Sequence, residues 1–143
     1  MTKEELGGSH IHRLNGVTDN VADSEEEAFT QIKQFLSYMP QSIYELTLRK
    51  EIGDSIDRKE EDLLSIIPKD RQKSYEMREI IRKVFDKDSF FEMTKSFGRG
   101  IITGFARLDG FSVGILANDS NFYAGSMSAD GARKTTRDRK SVV

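Results

Sequence analysis

The dipeptide Asp109-Gly110 constrains this chain more than any other feature. It separates two runs rich in β-branched, aromatic and small residues, 101–108 (IITGFARL) and 111–117 (FSVGILA). A two-residue Asp-Gly loop supplies the positive-φ conformations of a type I′ turn, so the pattern predicts a β-hairpin over residues 101–118. Both runs mix apolar residues with Gly104, Ala106 and Gly114 instead of alternating with polar ones, as a strand lying half in water does. The hairpin is therefore expected to be buried on both faces inside a larger layered domain. Glycine weakens a strand unless another backbone comes close, so Gly104 and Gly114 point to tight helix-on-sheet packing.

Helical signals flank the hairpin. Ser24-Glu25-Glu26-Glu27 has the Ser-x-x-Glu form of a capping box, and its acidic groups suit the positive end of a helix dipole. Ala28, Phe29, Ile32, Phe35, Leu36 and Met39 then recur at three- and four-residue spacing, predicting an amphipathic helix that ends at Pro40 with its aromatic stripe in the core. Ser74 is expected to cap a second helix, with Met77, Ile80, Ile81, Val84 and Phe85 on one face and Arg78, Glu79, Arg82 and Lys83 on the other. Residues 129–137 read as the opening turns of a third. Between the first two helices, residues 41–73 are polar and mixed in charge; they read as a linker in which the run 63–67 (LLSII) docks as a short helical turn before Pro68. Residues 1–22 read as a loop broken at Gly7-Gly8 and Asn15-Gly16.

The chemistry that the residues exclude narrows the function. With 22 basic and 24 acidic residues among 143, no basic excess points to nucleic acid. No apolar run approaches the ~18 residues of a membrane span, and the N-terminus lacks the apolar stretch of a signal peptide. The chain has no cysteine, hence no disulfide or thiolate metal site, which suits a reducing compartment and makes the cytoplasm the expected location. His10 and His12 alternate, and with Asp19 or Asp23 they sketch a metal site, but no third ligand stands at a persuasive spacing, so no metal is expected. Gly98-x-Gly100 with Gly104 imitates a phosphate loop but precedes a strand, whereas a dinucleotide fingerprint follows one and opens a helix. Written back as codons, residues 138–143 (DRKSVV) match a widely used DNA sequencing adapter, so these six are expected to be an artefact and the genuine sequence to stop near Arg137.

Taken in order, GGSHIHRLNGVTDNVADSEEEAF, QFLSYMP, SIIPKDRQKSYEMREIIRKVFDKDSFFEM, GRGIITGFARLDGFSVGILAND and GSMSADGARKTTR resemble the middle of an acyl-CoA carboxyltransferase. That family comprises the β subunits of biotin-dependent carboxylases such as propionyl-CoA carboxylase, with methylmalonyl-CoA carboxyltransferases and decarboxylases close by. The resemblance covers almost all of residues 6–137. It implies an α/β, crotonase-like (ClpP/crotonase) fold in two tandem domains, of which this chain is an internal fragment. Residues 1–42 then close the N-terminal domain, 43–73 form the linker, and 74–137 open the C-terminal domain, with the hairpin as its first two strands.

The resemblance further implies transfer of a carboxyl group from carboxybiotin, carried by a partner protein, to the α-carbon of an acyl-CoA. The partners implied are a biotin carboxylase or biotin carrier subunit and further copies of the chain in a dimer-based hexamer. Two oxyanions are held in that family by backbone N–H groups at glycine-rich turns, which the family map puts outside residues 1–137, so no catalytic residue is expected here. The family region associated with acyl-CoA resembles residues 83–116, which makes Phe90, Phe91, Arg99 and Arg107 candidate substrate-binding residues, with Asn118 and Gly125 at the strand's carboxyl end. Many relatives carry Asn-Gln-Pro after the second strand where this chain has Asn118-Asp119-Ser120, a departure that bears on the substrate. The competing expectation is a non-catalytic interaction module.

Overall fold

A computed structural model describes residues 2–55, 57–70 and 72–139. The hairpin is its centre: β2 (Ile101–Leu108) pairs antiparallel with β3 (Phe111–Asn118), with Leu108 opposite Phe111 across the turn. Asp109 (φ 52°) and Gly110 (φ 78°) adopt the two positive-φ conformations that the dipeptide anticipates. The turn is clasped from outside. The buried Asp86 carboxylate accepts the Asp109 amide (3.0 Å) and the Gly110 amide (2.8 Å), and the Lys50 amide donates to the Gly110 carbonyl (3.1 Å). A Cβ on Gly110 would overlap the Lys50 carbonyl, so this glycine is required by space as well as by φ.

A third strand, β1 (Phe91–Met93), pairs antiparallel with β2, giving the order β1-β2-β3. The hairpin therefore supplies the second and third strands of the sheet, not the first two. Gly104 lies opposite Glu92, and a Cβ there would overlap the Phe91 carbonyl; the close approach is a strand, not the expected helix. The tight helix contact occurs instead at Gly131, where a Cβ would fall 3.1 Å from the Ile101 side chain.

The sheet is covered unequally. Seven residues of β2, the central strand, from Ile101 to Arg107, are buried, whereas most of β3, an edge strand, is exposed or half-buried. Burial on both faces thus holds for one strand of the hairpin only. On one face Ile102, Ala106 and Ile115 pack with Ile81 of α4 (Met77–Val84). On the other, Phe91 and Phe105 pack with Tyr38, just past α3 (Glu25–Ser37). The Tyr38 ring stacks on Phe105 at 5.7 Å, while α5 (Ala129–Arg139) lies over Ile101 and Thr103.

The helices depart from expectation in instructive ways. Ser24 caps α3, accepting the Glu27 amide at 3.1 Å, but the Glu27 carboxylate reaches back to Asp23, one residue beyond the reciprocal form of the box. No residue of α3 is fully buried: Phe35 meets Phe105 edge-on at 5.8 Å and packs with Met39 against the Tyr38–Phe91–Phe105 cluster, whereas Phe29, Ile32 and Leu36 are more than half exposed, so only part of the stripe reaches the core. The second helix begins at Met77, three residues after Ser74, because the Tyr75 amide and carbonyl are both bonded to the Ser120 hydroxyl, which keeps 74–76 extended. The turn expected at 63–67 is a 3₁₀ helix at Glu61–Leu64 with Leu64 exposed. Residues 1–22 include two short helices, α1 (Lys3–Gly7) and α2 (Ser9–His12), where a loop was expected.

Candidate functional site

The carboxyl end of β3 carries the most specifically built polar corner. Asp119, fully buried, donates its amide to the Gly100 carbonyl (2.9 Å) and accepts the Asn121 amide at its carboxylate (3.1 Å). The same carboxylate pairs with Arg78 of α4, whose guanidinium also forks onto Glu92 of β1 through two bonds of 2.9 and 2.7 Å. Hydrogen bonding to Glu92, against the opposing pull of burial and with Asp119 adding to it, pushes the Arg78 pKa above its ordinary value. One cation thus joins a helix, a strand and the loop after the hairpin.

That anchor fixes the residues on either side. The Asn118 side chain donates to the Gly125 carbonyl (2.6 Å), closing a turn in which Tyr123, Ala124 and Gly125 all have positive φ. Such left-handed conformations are costly for Tyr and Ala, by about 1–2 kcal/mol each. Between this turn and the extended 72–75 segment lies a cavity of about 550 Å³, lined by Lys73, Ser74, Tyr75, Asn118, Ser120 and Gly125 among others. Its described lining holds amides, hydroxyls and one ammonium but no carboxylate. It can accept hydrogen-bonding, neutral or anionic groups.

Of the six sequence-derived residues, the fold brings Asn118 and Gly125 into direct contact. Arg99 stands near them, its guanidinium 3.9 Å from the Phe122 ring centroid on the same loop. The other three are elsewhere. Phe90 packs against the Ile81–Ile102 core, Phe91 is buried beneath Tyr38 with centroids 6.4 Å apart, and buried Arg107 donates to the Gly110 and Ser37 carbonyls. His10 and His12 lie on helix α2, where residues two apart point to different sides, so the pair does not converge as it would on an extended segment.

Sequence reasoning missed Arg78, Glu92 and Asp119, whose separations of 14 and 41 residues carry no local signal. It also missed two basic groups on α5. Arg137 bonds the Gly16 carbonyl, Asp19 and Thr94, tying the N-terminal segment to the sheet. Lys134, 1% exposed, donates to the Ile101 carbonyl (2.7 Å); burial pushes its pKa down to about 8, with Glu92 and Asp138 pulling the other way. Asp138 accepts from the Thr103 hydroxyl, so the first residue of the suspect tail fits the sheet; residues 140–143 lie outside the described part.

Comparison with known proteins places this chain in a lineage. The carboxyl transferase domain family matches residues 1–140. The carboxyltransferase subunit of propionyl-CoA carboxylase from Haloferax mediterranei is 37% identical over 138 residues, 96% of this chain and 27% of that protein. Methylmalonyl-CoA decarboxylase subunit alpha from Veillonella parvula is 33% identical over the same shares of each chain. Among solved structures, the transcarboxylase 12S hexamer with methylmalonyl-CoA and methylmalonic acid bound superposes with a TM-score of 0.90 at 29% identity, over 96% of this chain and 27% of its own. The chain therefore spans about a quarter of the length of these relatives. Its sheet and helices are part of the α/β, crotonase-like fold of those carboxyltransferases. The chain belongs to the carboxyl transferase domain family.

Proposed function

We propose that the chain is part of a carboxyltransferase subunit that moves a carboxyl group between carboxybiotin on a partner carrier protein and the α-carbon of an acyl-CoA of the propionyl-CoA class. The observation that carries this reading is the likeness, over 96% of the chain, to a transcarboxylase solved with methylmalonyl-CoA. Carboxybiotin, when bound, supplies the carboxyl group and a base; no residue of this chain is assigned to it. The role left to these residues is to bind and orient the acyl-CoA. In this reading Asn118 and Gly125 contact substrate, since they line the carboxylate-free cavity, which does not repel a carboxylated acyl group, and Arg99, held over Phe122 on the same loop, contacts it from outside that lining. Phe90 and Phe91 serve the same end indirectly, by holding β1 and β2 in place.

The division proposed is residues 1–42 as the end of one crotonase-like domain, 43–73 as linker, and 74–137 as the opening of the second. Further copies of the chain and a biotin carboxylase or carrier subunit are the proposed partners, and the cytoplasm is the proposed location. A second reading, decarboxylation of methylmalonyl-CoA, draws on the Veillonella relative. The test is a chimera in which residues 2–137 replace the matching quarter of a propionyl-CoA carboxylase carboxyltransferase subunit. Biotin-dependent carboxylation of propionyl-CoA is expected, with KM raised and kcat nearly unchanged by Asn118→Ala. An assembled chimera that neither carboxylates propionyl-CoA nor decarboxylates methylmalonyl-CoA overturns the reading.

A further inference from the structure

At the opposite end of β3 from the Asn118 cavity, a cleft of about 670 Å³ opens between α3, residues 50–54 and the turn after α4, and the two cavities share no lining residue. Arg107 lines its base and is only 5% exposed. The guanidinium donates to the carbonyls of Gly110 (2.8 Å) and Ser37 (2.5 Å) and lies 5.0 Å from the Tyr38 ring centroid. These partners are all uncharged. Asp86, buried at the same turn, has one oxygen on each turn amide, and among the described residues no carboxylate lies in ion-pair reach of Arg107. A buried cation lacking a counter-charge is unfavourable, and five N–H donors are more than two carbonyls satisfy.

Three more cations line the cleft from three separate segments: Lys33 on α3, Lys50 before the hairpin clasp, and Lys87 after α4. None is in an ion pair among the described residues. Against these four cations stand Glu51, Asp54 and Asp88, of which Asp54 is already paired with Arg58 at 3.0 Å. Four cations less the two remaining carboxylates leaves a surplus of two positive charges.

We propose that this cleft binds a phosphate monoester dianion, with the planar Arg107 fork at its base and Lys33, Lys50 and Lys87 around its mouth. Guanidinium presents parallel N–H groups that match phosphate oxygens, and lysines on flexible stems add point charges that adapt to the ester group. The site does not depend on the carboxyltransferase reading. If that reading holds, the occupant is the 3′-phosphate of the coenzyme A moiety; if it does not, it is another phosphate ester.

The experiment is calorimetric titration of the chain at low ionic strength with inorganic phosphate, coenzyme A and dephospho-coenzyme A. Saturable phosphate binding is expected, weakened roughly tenfold by the double variant Lys33→Gln/Lys87→Gln, whose side chains are exposed, and untouched by Lys95→Gln, an exposed lysine that lines neither cavity. Coenzyme A binding tighter than dephospho-coenzyme A, with phosphate competing, identifies the coenzyme as the source. Equal binding of the two alongside saturable phosphate identifies another ester, and the site stands while the acyl-CoA reading loses support. Absence of saturable phosphate binding, or binding that the double variant leaves intact, overturns the proposal. If the isolated chain does not melt cooperatively, the same titration and the same variant are made in the chimeric subunit.

Discussion

Lys134 shows what a single residue can cost. Its ammonium is shut between α5 and β2 with one carbonyl as its bonded partner. The folded-state pKa of about 8 lies below the ordinary 10.5, so between those values the unfolded chain binds more protons than the folded one. Stability is therefore expected to rise as pH rises from 8 towards 10.5, and the penalty to be fully present at pH 7. Lys134→Met should raise the melting temperature at pH 7, by the equivalent of up to about 3 kcal/mol, and flatten that rise in a series of thermal melts. A variant that melts lower than the parent at pH 7 contradicts this. Nothing in the sequence marks Lys134: it is one charged residue among several on a polar helix, and only the docking of α5 on Ile101 turns it inward. Arg78 is equally silent in sequence, because its partners lie on β1 and after β3. Asn118 and Gly125, which the fold brings into contact, were singled out through family likeness and not through local pattern.

Elements whose signals are local were read correctly. Asp109-Gly110 dictates its turn within two residues, and Ser24 caps a helix whose start is set by the next three. β1 was missed because a three-residue strand has no periodicity of its own and exists only by pairing with β2. The start of α4 was misplaced because the Ser120 hydroxyl, 45 residues away, holds Tyr75 extended. The stripe of α3 was correctly seen as apolar, but amphipathicity tells which face is apolar and not what covers it. The hairpin clasp gives a test at this scale. Asp86→Ala leaves two buried or half-buried turn amides without their charged acceptor and is expected to cost about 3 kcal/mol. Hydrogen exchange at Asp109 and Gly110 should accelerate together in the variant, and unchanged protection would show that the turn needs no clasp.

Across the whole molecule, the distribution of apolar surface is that of a part. Ile43, Tyr44, Leu46 and Leu48 are each at least 80% exposed within six residues, Phe29, Ile32 and Leu36 of α3 are more than half exposed, and β3 presents an unpaired edge among the described residues. Monomeric proteins rarely expose contiguous apolar patches of this kind, and an open strand edge recruits other chains. The chain alone is thus expected to self-associate at micromolar concentration, as multi-angle light scattering reports, and Leu46→Lys/Leu48→Lys should lower the apparent mass; a monodisperse monomer with a sharp melt would sink this view. The Asp86 clasp has one more consequence, for the order of assembly. Its carboxylate grips a turn only 23 and 24 residues downstream, and α4, β1 and β2 follow one another without long detours. Closing loops that short loses little chain entropy. On a ribosome, the segment from α4 to β3 can therefore gather around its turn as soon as it has emerged, offering a template onto which the earlier α3 and the later α5 settle from opposite ends of the chain.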